Sequence, residues 1–184
     1  MRKDNKGFSL LEMIIVLGIA AILAGSAVSF TGYIRYANEK GCAEKLYAGI
    51  DKLQVTSMAK KDKKFLVVWR ENNEFYYDVY SYDASVVSGD SVTIKNNGST
   101  ACKDRANGTK LGNSALSMKY KKTSDHTYRE LVNDGDYFCI GYAMNGSYNP
   151  DYTDAEEILI QSTSGSGTIY TIKLVAETGK HFIY

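Results

Sequence analysis

Residues 6–34 read KGFSLLEMIIVLGIAAILAGSAVSFTGYI, and from Met13 to Ile34 the chain holds 22 residues without a charge. A bilayer-spanning helix needs about 20 predominantly apolar residues, so this stretch is long enough to cross a membrane. One carboxylate, Glu12, interrupts the apolar run that begins at Phe8. A charged side chain at mid-membrane costs about 2.5–3.5 kcal/mol on insertion scales, and less near the boundary. A chain that needed only an anchor would do better with Leu at position 12. The carboxylate therefore calls for a partner, and a positive charge on the same or a neighbouring copy is the nearest at hand. A secretory signal has an apolar core of about 7–15 residues and a small-x-small cleavage site after it. The core here is longer. Ala24-Gly25-Ser26-Ala27 offers such a site, but neither a signal peptide nor a plain anchor accounts for Glu12.

The run Lys6-Gly7-Phe8-Ser9-Leu10-Leu11-Glu12-Met13, followed by an apolar helix, resembles the class III signal sequence of type IV pilins and pseudopilins. The resemblance covers about the first thirty-five residues. In that family a short basic leader ends in Gly, a membrane peptidase cuts after it and methylates the new amino group, and the fifth mature residue is Glu. By position, the resemblance implies cleavage between Gly7 and Phe8, N-methylation of Phe8 and an assembly charge at Glu12. It implies as partners a prepilin peptidase and methyltransferase, an assembly platform in the membrane, and other pilin subunits. No cofactor is implied.

Charge on the flanks sets the orientation. Arg2, Lys3 and Lys6 against Asp4 keep the leader cytoplasmic by the positive-inside rule, and the remainder lies outside. The chain has 184 residues and a net charge of +1, which excludes a global charge argument for nucleic acid. The expected organisation is a leader over 1–7, a transmembrane and filament-core half-helix over 8–34, an amphipathic half-helix over 35–61 and a globular β domain over 65–184. Ala43, Leu46, Ile50, Leu53 and Ser57 recur at spacings of three and four, one face of a helix. The Lys60–Lys64 run suits a helix C-terminus. One helix is thus predicted from about Phe8 to about Lys61. Within its first half, Gly18, Ala21, Gly25, Ser29 and Gly32 form a seam of small residues, which in membranes lets helix backbones approach closely. Gly is also simply common in membrane helices.

After Lys64 the period changes. Phe65–Trp69 and Phe75–Tyr82 around Asn72-Asn73 read as a hairpin. Ser91–Lys95, Leu116–Lys121, Tyr137–Tyr142, Glu157–Gln161, Thr168–Ala176 and Lys180–Tyr184 are further strands, and Asn96–Asn113 reads as loop. Strands that follow one another without helices predict an antiparallel sheet. The fold class is α+β, a long N-terminal helix packed on that sheet, which is also the type IV pilin fold the resemblance implies. A second, less specific resemblance, carried by the Val-rich hairpin and the strand pair around Thr178-Gly179-Lys180, is to minor pseudopilins of the GspH/FimT type.

Three cysteines, Cys42, Cys102 and Cys139, allow one bridge. Outside the membrane, where disulfides persist, Cys102–Cys139 would tie down the long loop; the alternative is three thiols. Enzymatic chemistry finds no support, since His126 and His181 belong to no metal-ligand or nucleophile spacing, and no metal site is assigned. Asp151, Asp154, Glu156 and Glu157 could offer oxygens to calcium, or be solvated. Three Asn-Gly-Ser/Thr sequences at Asn97, Asn107 and Asn145 are better explained by turns. The predicted function is a structural subunit of a type IV pilus or related filament, a substrate of an enzyme rather than an enzyme. It starts as a single-pass membrane protein in the lipid bilayer and ends in an extracellular filament. The alternative is a minor pilin that captures DNA or another ligand, for which the Lys60–Lys64 and Lys119–Lys122 runs, with Tyr120 in the latter, are the basic candidates, though a solvated face or a contact with a neighbouring subunit explains them better; a third is an anchor independent of any peptidase.

Overall fold

A computed structural model describes residues 9–59, 64–81, 91–93, 100–103, 108–122, 126–149, 153–165 and 167–184; side chains of 26–29, 81, 91–93 and 100–103 are not described. Gly7 and Phe8 fall outside these residues, as do Lys60–Lys63, Asp151, Asn97 and Asn107.

The first element is a single helix, α1 (Leu10–Ala59), of 50 residues, about 75 Å at 1.5 Å per residue. The expected start at Phe8 moves to Leu10, and the reason is a cap. Ser9 Oγ accepts from the Glu12 amide at 3.2 Å, and Glu12 Oε2 accepts from the Ser9 amide at 2.9 Å. This reciprocal pair is a capping box, with Ser at the N-cap and Glu three residues on. The expected apolar stripe is buried throughout. Ala43, Leu46 and Ile50 are fully enclosed, and Leu53 and Ser57 nearly so. Core aliphatics of this kind contribute about 2–5 kcal/mol each relative to Ala. The N-terminal half is bare by contrast, with Leu10, Ile14, Leu17 and Ile22 all more than half exposed.

The strands are β1 (Lys64–Glu71), β2 (Glu74–Ser81), β3 (Ser91–Thr93), β4 (Thr100–Lys103), β5 (Thr109–Gly112), β6 (Leu116–Lys122), β7 (Tyr128–Glu130), β8 (Tyr137–Gly141), β9 (Ala155–Ser162), β10 (Tyr170–Leu174) and β11 (His181–Ile183). All their pairings are antiparallel, but they form two sheets where one was expected. The first has the order β3-β4-β2-β1-β8 with β5 also on β2, and the second β11-β10-β9-β6-β7. Helix α1 bridges them, touching β1 and β5 of one and β9, β10 and β11 of the other. The α+β class with a long helix on antiparallel sheets is therefore the architecture, as a type IV pilin fold requires.

Local sequence explains the joints. The β1–β2 loop is only Asn72-Asn73, since Glu71 pairs with Glu74. Both asparagines have positive φ, 52° and 61°, the backbone of a type I′ hairpin that Asn tolerates. The β10–β11 turn ends in Gly179 at φ 67°, where a Cβ would overlap the Gly146 carbonyl oxygen. Residues Phe65–Val68 of β1 are buried at every position, because the strand is covered on both faces. Leu66 and Val68 face the main core with α1, while Phe65, Val67 and Trp69 join Tyr80 and Cys139 in a second cluster. The outer edge of β8 is sealed rather than left open. Asp154 Oδ2 accepts from the Cys139 amide at 3.1 Å and Thr153 Oγ1 from the Gly141 amide at 3.1 Å, which removes a bare strand edge.

Two loop expectations are corrected. The segment 96–113 contains β4 and β5, and β7 lies where no strand was read. All three are short, of three or four residues, and β7 is exposed throughout, so none offers a readable alternation.

Candidate functional site: the N-terminal helix and its junction with the sheets

The exposure of the helix changes a little beyond Ile34, the first buried side chain being Glu39. Up to that point the described side chains are exposed, and a Cβ built on Gly18, Gly25 or Gly32 meets nothing within 4 Å. The seam of small residues thus faces open space in the single chain, with the Ser29 side chain outside the described residues. Among the described residues, α1 is the one helix long and apolar enough to span a membrane. Glu12 lies at the very start of this apolar surface, already engaged by Ser9. The positive charge expected as its partner is not among these contacts: the carboxylate accepts one hydrogen bond, from the Ser9 amide, and the Glu12 amide donates to Ser9 Oγ.

A family model described as the prokaryotic N-terminal methylation motif matches residues 2–28. The chain carries a class III prepilin signal. This prepilin signal runs from the leader well into α1, so the motif and the exposed apolar half-helix are one feature seen twice. It makes the chain a pilin-like substrate of a prepilin peptidase and a membrane-anchored protein before any assembly. No curated protein and no solved structure matches the chain.

Where the prepilin signal's helix enters the sheets lies a buried acid that no local pattern marks. Glu39 is fully buried, and among the described residues neither of its carboxylate oxygens has a hydrogen-bond partner. Gly167, in the turn before β10, closes over it; a Cβ there would come 2.5 Å from Glu39 Oε1. A buried polar group left unpaired costs about 1–3 kcal/mol, and more when charged. Glu39→Gln keeps the shape and removes the charge. It is expected to raise the thermal midpoint of the membrane-reconstituted chain by several degrees, read by circular dichroism.

The cysteines do not fit the expected bridge. Cys102 lies on β4, opposite Ser81 of β2, and Cys139 lies on β8, opposite Val67 of β1. With β2 and β1 between them, three inter-strand steps of about 4.8 Å separate the two backbones. A disulfide holds its Cα atoms about 5.5–6 Å apart. The sheet order therefore overturns Cys102–Cys139. Cys42 is buried on α1, and burial pushes its thiol up to about 12, so little nucleophilic thiolate forms. Reduction is expected to leave the intact mass unchanged, and Cys42 to resist alkylation until the chain is unfolded; mass spectrometry with and without denaturant reads both.

Among the described residues, Lys119, Lys121 and Glu156 of the basic and acidic clusters are engaged in ion pairs. Lys121 Nζ lies 2.7 Å from Glu156, whose other oxygen is 2.8 Å from His126 Nδ1, and Lys119 Nζ lies 3.7 Å from Glu130. Hydrogen bonds from Lys121 and His126 outweigh burial and hold the Glu156 carboxyl below its usual range. Tyr120, expected between the lysines on an open face, is buried and packs on Phe138 at 4.8 Å between ring centroids. Asp154 is spent on the β8 edge. Among the described residues no group of three metal-ligating side chains forms. Asn145 builds a turn, accepting from the Ser147 amide at 3.1 Å with Gly146 at φ 81°.

Proposed function

We propose that this chain is a subunit, major or minor, of a type IV pilus or a related filament. The observation that carries the reading is the coincidence of the prepilin signal with a continuous helix whose first half is apolar and bare and whose second half is built into the sheets. Removal of residues 1–7 leaves Phe8 as the first residue, with a methylated amine. The peptidase and methyltransferase handle the chain first, and an assembly platform then draws it from the bilayer. Residues 8–34 pack in the filament core, with Gly18, Ala21, Gly25, Ser29 and Gly32 as the seam along which neighbouring helices approach. Residues 65–184 face solvent on the cell surface.

The alternative, a minor pilin of the GspH/FimT type that captures DNA or another ligand, has less support. Nucleic-acid binding needs unpaired cations along a face, and Lys119 and Lys121 are occupied by carboxylates. N-terminal sequencing and intact mass of the chain recovered from sheared surface filaments test the proposal. A chain beginning at methylated Phe8 in that fraction is expected. A chain beginning at Met1 and confined to membranes would overturn it.

A further inference from the structure

The sheets have a distinct end where they meet the membrane helix. Three contacts order them along α1. Tyr170 stacks near Tyr36 at 6.3 Å between ring centroids, His181 near Tyr47 at 4.6 Å, and the Gly179 carbonyl accepts from Gln54 Nε2 at 3.1 Å. The β10–β11 hairpin therefore lies along the helix, with its turn far from the apolar span and its open end beside it. At that open end lie Ile169, Tyr170 and Tyr184, together with residues 163–165 and 167–168 and the loop at Ala115, whose carbonyl accepts from the Thr163 amide at 2.9 Å.

Apart from Glu39, buried beneath Gly167, this end carries almost no charge. No Asp, Glu, Lys or Arg occurs in 111–118, 158–172 or 181–184, and Arg35 is the one charged residue within 33–38. The charged residues Lys173, Glu177 and Lys180 belong to the rest of the hairpin. The uncharged end is also apolar and aromatic where it is open: Ile169 is 54% exposed, Tyr184 70%, Tyr33 68% and Tyr36 44%.

We propose that this end of the sheet domain is a second membrane contact, seated on the headgroup layer of the outer leaflet while the chain is anchored. The occupant is the bilayer because the surface is continuous with the span. Tyr36 lies two residues past Ile34, about 3 Å along the axis, and the headgroup zone extends about 5–7 Å beyond the hydrocarbon. Tyrosines concentrate at that depth, apolar ring inward and hydroxyl outward. Ser, Thr and Asn of the two turns suit a hydrated headgroup layer. The contact fixes how the domain stands over the membrane, and it must be broken when the chain is extracted. It rests on the membrane anchoring that the prepilin signal supplies.

The full chain with Trp69→Phe and Ile169→Trp, reconstituted at low density in vesicles of equal phosphatidylethanolamine and phosphatidylglycerol, tests it. Carbonate-resistant flotation first confirms anchoring; failure there refutes the anchor itself rather than the seat. In anchored chains, lipids brominated just below the headgroup are expected to quench the Ile169→Trp emission about twofold, while a Glu177→Trp control at the far turn stays unquenched. Water-like, unquenched Ile169→Trp emission would overturn the proposal. So would a blue-shifted, unquenched signal that grows with protein density, which would assign the surface to a neighbouring copy. The unaltered chain provides a second measurement that needs no substitution. A diazirine-bearing phosphatidylcholine should label 163–170 and 182–184, and labelling confined to α1 would count against the seat.

Discussion

Glu12→Ala is expected to leave synthesis, membrane insertion and cleavage after Gly7 intact and to abolish incorporation of the chain into filaments. Removal of residues 1–7 creates an ammonium on Phe8, four residues before Glu12 and at the same end of α1. In a water-poor filament core an unpaired carboxylate is costly, and pairing with an ammonium offsets much of the cost. The Phe8 ammonium of an incoming chain beside the Glu12 of the chain above would set axial register, because the other contacts of that core are apolar and can slide. The Ser9–Glu12 capping box adds a necessary control, since loss of the cap alone costs about 1 kcal/mol. Gln at the third helical position keeps a capping box but carries no charge. Glu12→Gln should therefore start the helix normally and still fail to assemble. Normal filaments from Glu12→Gln would mean that the carboxylate serves the cap and not the register. Following the chain's own incorporation by mass spectrometry of sheared filaments makes the test fair for a subunit present in few copies.

Gly7→Val is expected to yield an uncut precursor held in the membrane, with no mature chain detectable. The residue before the cut must pass a peptidase site without a side chain, and the branched Val blocks it. The precursor keeps its cationic leader on the cytoplasmic side, which also denies Phe8 the free amine that register requires. Immunoblotting separates precursor and mature forms by the mass of seven residues. Mature chain at the normal level would refute cleavage at this site.

The helix and its inner face were legible because their signal is local and periodic: Ala43 through Ser57 repeat at helical spacing, and each is buried. The capping box is equally readable in Ser9-x-x-Glu12, where one carboxylate is both a charge at the edge of an apolar span and a cap in the first turn. Strands with alternation or long β-branched runs were legible, down to the Asn72-Asn73 turn. β4, β5 and β7 were not, since segments of three or four residues are too short to carry a period. The division into two sheets was out of reach for a different reason. β1 pairs with β8 across some seventy residues, and nothing local encodes such a partner. The same limit misplaced Cys102 and Cys139 as neighbours and left Lys119 and Lys121 looking free when cross-strand carboxylates hold them. Glu39 was invisible for the opposite reason, because a Glu in an amphipathic helix reads as solvated until the Gly167 turn is seen to close over it.

The hairpin that lies along α1 also decides how the molecule bears load. Any pull on the apolar half of the helix enters the sheets parallel to the β10–β11 strands. At the far end Gln54 Nε2 grips the carbonyls of Gly146 and Gly179 at 3.0 and 3.1 Å, while the Tyr142 hydroxyl, 2.7 Å from that of Tyr148, reaches the same Gly179 carbonyl at 3.3 Å. Tension along the axis therefore shears the Tyr36, Tyr47 and Gln54 contacts together instead of peeling them one after another. A seam loaded in shear yields only when its bonds fail collectively, so the helix is fastened to the sheets more like a lap joint than a zip.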